Sequence, residues 1–243
     1  MTAASKEKRT VTLPEGVSLR RVAEVLLDAW EADPRRWMNA PPQLRNGAQS
    51  RPAMPVPQDA MDLFRLLAER RVDYLLVGGM AMLTYINGRN TKDVDLLMSV
   101  AALEQLPELK IEDRNDFFAR GKFKSIQVDL LLTKNPLFKI VAEKFATQHP
   151  FEELAVPTAT IEGMILLKLF ALPSLYRQMD LDRAAMYETD VTLLLARHSP
   201  VIEPLLALVE KHVELGDKKE LKKIISECEE RAAKLRRRTN ISD

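Results

Sequence analysis

The sequence predicts a fold of the α+β class: a small mixed sheet with its helices over residues 58–157, followed by a helical domain over 158–243. Three observations lead there. Short β-prone runs separated by glycine turns fill the middle of the chain, one of them alternates strictly between apolar and polar residues, and from Thr158 onward the chain reads as helices.

Ahead of this region, residues 1–57 read as an N-terminal helix and a proline-bearing linker. Leu19, Val22, Leu26, Ala29 and Trp30 form a helical stripe within Val17 to Trp30, with Ser18 as its N-cap. Pro34, Pro41, Pro42, Pro52, Pro55 and Pro57 follow, so that stretch is a linker or a strap over the core. Composition narrows the class of protein. A chain of 243 residues, 46% hydrophobic and 29% charged, can bury one good core or two smaller ones. No apolar run reaches the roughly 18 residues needed to span a bilayer, and Met1 to Arg9 is not followed by the apolar region of a secretory signal. One cysteine, Cys228, cannot make an intramolecular disulfide, and no Cys/His cluster suggests zinc, which together point to a reducing, cytoplasmic setting. The net charge of +1 gives no general attraction to nucleic acid.

Within the α/β region, Tyr74 to Val77 is a short strand and Gly78-Gly79 a sharp turn whose backbone can approach a ligand. Met80 to Tyr85 reads as a short helix closed by Gly88, with its first amides facing anything anionic bound at the glycines. Arg89 and Lys92 come next, then a second strand bearing Asp93 and Asp95. Side chains two apart on a strand share a face, so both carboxylates can reach one cation. Hard oxygen ligands suit Mg²⁺ or Mn²⁺. A buried strand also pairs acids for purely structural reasons, as salt-bridge or cap partners, and the D-x-D alone does not decide between the two.

A third carboxylate comes from a hairpin expected over Asn115 to Ala119, a turn at Arg120-Gly121-Lys122, and Phe123 to Leu132. In its second arm Ile126, Val128, Leu130 and Leu132 make one face, which turns Asp129 to the other. If that arm lies beside the Asp93 strand, three acids converge; otherwise Asp129 faces solvent. Two like charges about 4 Å apart repel by roughly 4 kcal/mol at an effective dielectric near 20, so convergence calls for divalent cations.

This order of glycine pair, short helix, Arg89-Asn90-Thr91-Lys92-Asp93-Val94-Asp95 and a later lone Asp resembles the nucleotidyltransferase fold of the polymerase β superfamily, in particular the AbiEii/AbiGii-type toxin nucleotidyltransferases. The resemblance covers about Ala60 to Leu132 and implies a minimal nucleotidyltransferase domain. It further implies that Asp93, Asp95 and Asp129 bind metal and form the catalytic site. Gly78, Gly79, Arg89, Thr91 and Lys92 would hold the nucleotide. Many members carry Gly-Ser where this chain has Gly78-Gly79, which removes a hydroxyl contact and keeps the amides. The implied reaction moves an NMP from an NTP to an acceptor hydroxyl of tRNA or other RNA, protein or a small molecule, and the toxin branch of the family implies a cognate toxin or antitoxin as partner. A catalytically inactive relative serving as antitoxin or binding module is the alternative.

In the second half, Thr160 to Leu172 reads as a helix with Lys168 inside an apolar stripe, where its ammonium either snorkels to the edge or meets an anion. The resemblance favours nucleotide, because a helical lysine after a Val-Pro segment, here Val156-Pro157, contacts it in similar proteins. Asp190, in a helix from about Arg183 to Arg197, belongs to the same implied pocket or pairs with Lys168 or Arg177. Further helices are expected at Val201 to Leu215 and Lys218 to Arg238; the latter is rich in Lys and Arg and is either a solvated helix or a contact for RNA. His149, His198 and His212 are dispersed along the sequence, with no partner evident from it.

Overall fold

The computed structural model describes residues 55–86, 91, 93–151 and 154–239. The expected N-terminal helix, most of the proline-bearing stretch, Gly88, Arg89 and Lys92 lie outside them. The first described helix, α1 (Pro55–Glu69), already starts at Pro55, so the stretch expected to run as linker to Pro57 ends earlier. Proline fits a helix's first turn, where no intrahelical acceptor waits for its missing N–H.

Next come β1 (Tyr74–Val77), α2 (Gly78–Met82), β2 (Asp93–Met98), α3 (Val100–Leu103), β3 (Lys110–Arg114), β4 (Phe118–Phe123) and β5 (Ile126–Leu132). They are followed by α4 (Pro136–Lys144), β6 (Ala146–Phe151), β7 (Leu154–Ala159), α5 (Ile161–Arg177), α6 (Leu181–His198), α7 (Glu203–Val209) and α8 (Leu215–Thr239). The seven strands form one mixed sheet in the order β3-β4-β5-β2-β1-β7-β6. β2 runs antiparallel to β1 and parallel to β5, and β1 runs parallel to β7. The fold is thus of the expected α+β class.

Both faces of the sheet are covered. Phe64 of α1 stacks on Tyr74 at 6.3 Å and meets Phe151 at 5.9 Å, on the face that also carries Leu76 and Leu96. On the opposite face Phe138 of α4 packs edge-on against Phe118 at 5.4 Å and Phe170 of α5 at 5.6 Å. Phe118 is the register partner of Leu131, so this second face is the one that Asp129 shares. Ile126, Val128, Leu130 and Leu132 are all buried on the other side, as their alternation predicted.

Three elements differ from expectation. The hairpin turn falls at Lys124-Ser125, and Arg120, Gly121 and Lys122 lie within β4, paired with Asp129, Val128 and Gln127. Lys124 takes the left-handed conformation at φ 51, and its ammonium pairs with Asp62 of α1, while Ser125 bonds Asp59. Gly121 serves the strand instead: a Cβ there would stand 2.6 Å from the Lys110 carbonyl oxygen of β3. The helix after β1 begins at Gly78 and ends at Met82, with turns following it. The helix expected over Val201 to Leu215 is the shorter α7, because Lys211 and His212 donate to carbonyls three residues back and close the turn.

Candidate active site

Asp93 and Asp95 sit on the same face at the start of β2, both half-buried. β5 lies directly alongside in parallel, and the register places Asp95 opposite Asp129. On the other flank Asp95 is opposite Val77, the last residue of β1, so the glycine turn leaves the sheet beside its carboxylate. Three acids from two strands therefore gather at one end of the sheet: the alternation of β5 fixes the face of Asp129, and its pairing with β2 brings that face beside Asp93 and Asp95.

The glycine pair is shaped around Asp95. Gly78 has φ +66, and a Cβ on it would lie 1.9 Å from the Asp95 Oδ2. The Gly79 amide donates to that same oxygen at 3.2 Å. Beneath it Thr91 is buried; its hydroxyl donates to the Asp93 carbonyl at 3.1 Å, and a Cβ on Gly79 would fall 2.5 Å from its Oγ1. Thr91 thus locks the entry of β2 against the glycine turn. Burial pushes the Asp95 carboxyl up to about 6; the charges of Asp129 and Asp93 add to this, while the Gly79 amide and Lys168 act the other way.

Asp129 is held differently. Arg120, its register partner on β4, donates to both carboxylate oxygens at 2.8 Å, and Gln127 adds a bond of 3.3 Å to Oδ1. The Asp129 side chain is 15% exposed and that of Arg120 is 50% exposed. Among the described residues no three His, Cys, Asp or Glu close on a single point as a ready-made metal cage. The donor set nonetheless fits a hard divalent ion: two half-buried carboxylates two residues apart on one strand, with a third opposite them on β5. Such an ion would be held by Asp93 and Asp95, and by Asp129 once its oxygens are released.

Lys168 and Asp190 are joined. The two are buried with side chains 5% and 2% exposed, and Lys168 Nζ bonds the Asp190 Oδ2 at 2.7 Å. Tyr187 covers the ammonium with its ring, the nitrogen 4.3 Å from the centroid. Of the two expected environments for Lys168, the structure gives the anion, supplied by its own chain; Arg177 pairs with Asp217 instead.

A cavity of about 780 Å³ lies between the sheet end and the helices, and Asp93 and Asp190 are not among the residues that line it. Gly78, Asp95 and Asp129 line it from the sheet, Lys168, Arg183 and Tyr187 from α5 and α6, and Phe117, Phe118 and Arg120 from β4 and the loop before it. The last three were not singled out in the sequence. Their signal was weak because the buried positions of β4 are Ala119, Gly121 and Phe123, two of which have hardly any side chain to register as apolar. The histidines are not all apart. His149 and His198 both reach Tyr85: the Tyr85 hydroxyl donates to the Ala159 carbonyl at 2.7 Å, His149 Nε2 lies 3.1 Å from that hydroxyl, and His198 Nε2 lies 3.1 Å from the Tyr85 carbonyl. This clasp ties the segment after α2 to β6, β7 and the end of α6.

No family model matches the chain, and no curated protein does. Among solved structures it resembles an antigenic nucleotidyltransferase-like protein from Paracoccidioides brasiliensis, at 17% identity and TM-score 0.42, covering 68% of this chain and 91% of that one. It also resembles ANT(2'')-Ia crystallised with adenylyl-2''-tobramycin, at 13% identity and TM-score 0.46 over 64% of this chain and 96% of that one. A solution structure of the antibiotic-resistance factor ANT(2'')-Ia gives 13% identity and TM-score 0.47 over 65% and 92%. At these scores the roles of individual residues rest on the cleft's own geometry.

Proposed function

We propose that the chain is a metal-dependent nucleotidyltransferase that moves an NMP from an NTP to an acceptor hydroxyl. The observation that carries this is the parallel register of Asp95 with Asp129, beside Asp93 and against a glycine with φ +66, at the wall of a cavity large enough for a nucleotide. Asp93 and Asp95, with Asp129, would hold Mg²⁺ or Mn²⁺, which supplies charge neutralisation at the reacting phosphorus when bound. Gly78 makes room for the Asp95 carboxylate at the turn, whose backbone would face phosphate; Arg89 and Lys92 follow it in sequence as further cations. Lys168, oriented by Asp190, faces the cleft from the helical side. Asp129 orients the acceptor and takes its proton while the acceptor oxygen bonds to the α-phosphorus. The bond from that phosphorus to the bridging oxygen breaks, and pyrophosphate leaves. The protein's part is mostly positioning and charge placement.

In this reading residues 58–157 carry the acids and residues 158–243 form the opposing wall. The acceptor is an RNA such as tRNA, a protein or a small molecule, in the setting of an AbiEii-type toxin–antitoxin or phage-defence pair in the cytoplasm. The bidentate hold of Arg120 on Asp129 favours a second reading, an inactive relative acting as antitoxin or binding module. Incubation with each α-labelled NTP and Mg²⁺, with and without cell extract, separates them. Label should reach an acceptor with the wild-type chain and not with Asp93→Asn or Asp95→Asn, whose circular dichroism should be unchanged; transfer at near wild-type rate by either variant would overturn the assigned roles.

A further inference from the structure

Arg120 is the one residue whose position is at odds with a simple three-acid metal site. It is the register partner of Asp129, engages both of its oxygens at 2.8 Å, and lines the same cavity as Asp95. Its charge also acts on Asp93 and Asp113. The nearest other cation on the helical wall, Lys168, is committed to Asp190. Among the described residues Arg120 is thus the cation that directly engages Asp129, while Lys168 acts on Asp95 from the helical wall.

We propose that Arg120 is a resident counter-cation that a divalent ion displaces from Asp129, and that it then serves as a positioning residue for the polyphosphate of the incoming nucleotide. This rests on the nucleotidyltransferase reading above. The pair is built for exchange. Its arginine is half exposed and can swing without opening the core, whereas Asp129, on a central strand with Val128 and Leu130 packed behind it, keeps its place. A divalent ion brings twice the charge of the guanidinium to the same oxygens, and carboxylates favour it as a hard ligand. Once released, the guanidinium remains on the cavity wall with its planar fork of donors, which matches phosphate oxygens. Cation and nucleotide then enter as one neutralised unit, since a triphosphate without the ion meets three acids and an arginine already in use.

The prediction is a pair of effects with opposite signs, which a merely structural arginine would not produce. Mn²⁺ alone is titrated into the full, nucleotide-free chain, with free Mn²⁺ read by electron paramagnetic resonance. Arg120→Gln should bind Mn²⁺ roughly tenfold more tightly than wild type, and adding Asp129→Asn should remove that gain. With Mn²⁺ saturating, the affinity of Arg120→Gln for a non-hydrolysable NTP analogue should instead fall by about tenfold. Arg120→Lys, which keeps the charge but lacks the planar fork that engages two oxygens side by side, should lie between the two in both titrations. Equal Mn²⁺ affinity in wild type and both Arg120 variants overturns the displacement and leaves the nucleotidyltransferase reading standing. Absence of Mn²⁺ binding in every chain overturns both.

Discussion

At Gly78 two requirements meet in one residue. The backbone is left-handed, at φ +66, and the space where a side chain would begin is filled by the Asp95 carboxylate, 1.9 Å from an ideal Cβ. The first requirement alone disfavours any residue with a Cβ, by roughly 1–3 kcal/mol. The second forces Asp95 to move. Gly78→Ala should therefore cost stability in a denaturant melt, on the order of 2–4 kcal/mol, and reduce Mg²⁺-dependent nucleotide transfer to background in the fraction that remains folded. Retention of both would mean that the glycine turn is not what positions Asp95. The acids themselves were legible in the sequence for a simple reason: a period of two on β2 and β5 fixes which side chains share a face, and the apolar partners Val94, Leu96, Val128 and Leu130 left no choice of side. Arg120 was not legible, because a glycine flanked by basic residues reads as a turn.

Between elements, β4 shows why that reading failed. Gly121 is a strand glycine, required by the close approach of the Lys110 carbonyl on β3 at 2.6 Å from its would-be Cβ, while the turn is made by Lys124 at φ 51. A lysine in that conformation is uncommon, and here it is held by ion pairs to Asp62 and Asp59 of α1 that only the tertiary fold supplies. Gly121→Ala should loosen β3 from β4, with faster amide exchange over residues 110–114 and a loss of about 1–3 kcal/mol, while the β2–β5 pairing that carries the acids stays protected.

The joint between α5 and α6 allows a sharper test. Lys168→Met takes the ammonium away from the buried Asp190 carboxylate and should cost roughly 3–5 kcal/mol. Pairing it with Asp190→Leu removes the carboxylate as well and should restore most of that loss. If Lys168 serves the nucleotide as well as the fold, the double variant melts near wild type yet transfers nucleotide poorly. Recovery of transfer along with stability would assign the pair to structure alone. The sequence placed Lys168 on an apolar stripe and left its partner open, since helix periodicity gives the facing direction of one helix and says nothing of which side chain the neighbouring helix brings opposite.

On the scale of the molecule, the sheet end and the helical wall border one cavity. Among the described residues, Asp95 and Asp129 share a cavity of about 780 Å³ with Lys168, Arg183 and Tyr187. Neither cation nor nucleotide alone satisfies both walls: an ion without phosphate leaves the basic wall idle, and phosphate without an ion meets the acids. In the proposed reading the two bound together would join the walls. A ligand that binds only the folded state stabilises it by about 2.7 kcal/mol at one hundred times its dissociation constant. For a chain of this size that corresponds to a rise of roughly 5–10 °C in the melting temperature. The melting temperature should accordingly rise by that amount with Mg²⁺ and NTP together, and by clearly less with Mg²⁺ alone or with NTP in EDTA. Asp95→Asn should abolish the joint effect while melting no lower than wild type in EDTA, because it removes a charge that burial and two neighbouring acids already disfavour. Equal shifts with NTP in Mg²⁺ and in EDTA would show that nucleotide binds without engaging the acidic wall, and a joint shift retained by Asp95→Asn would place it elsewhere on the molecule.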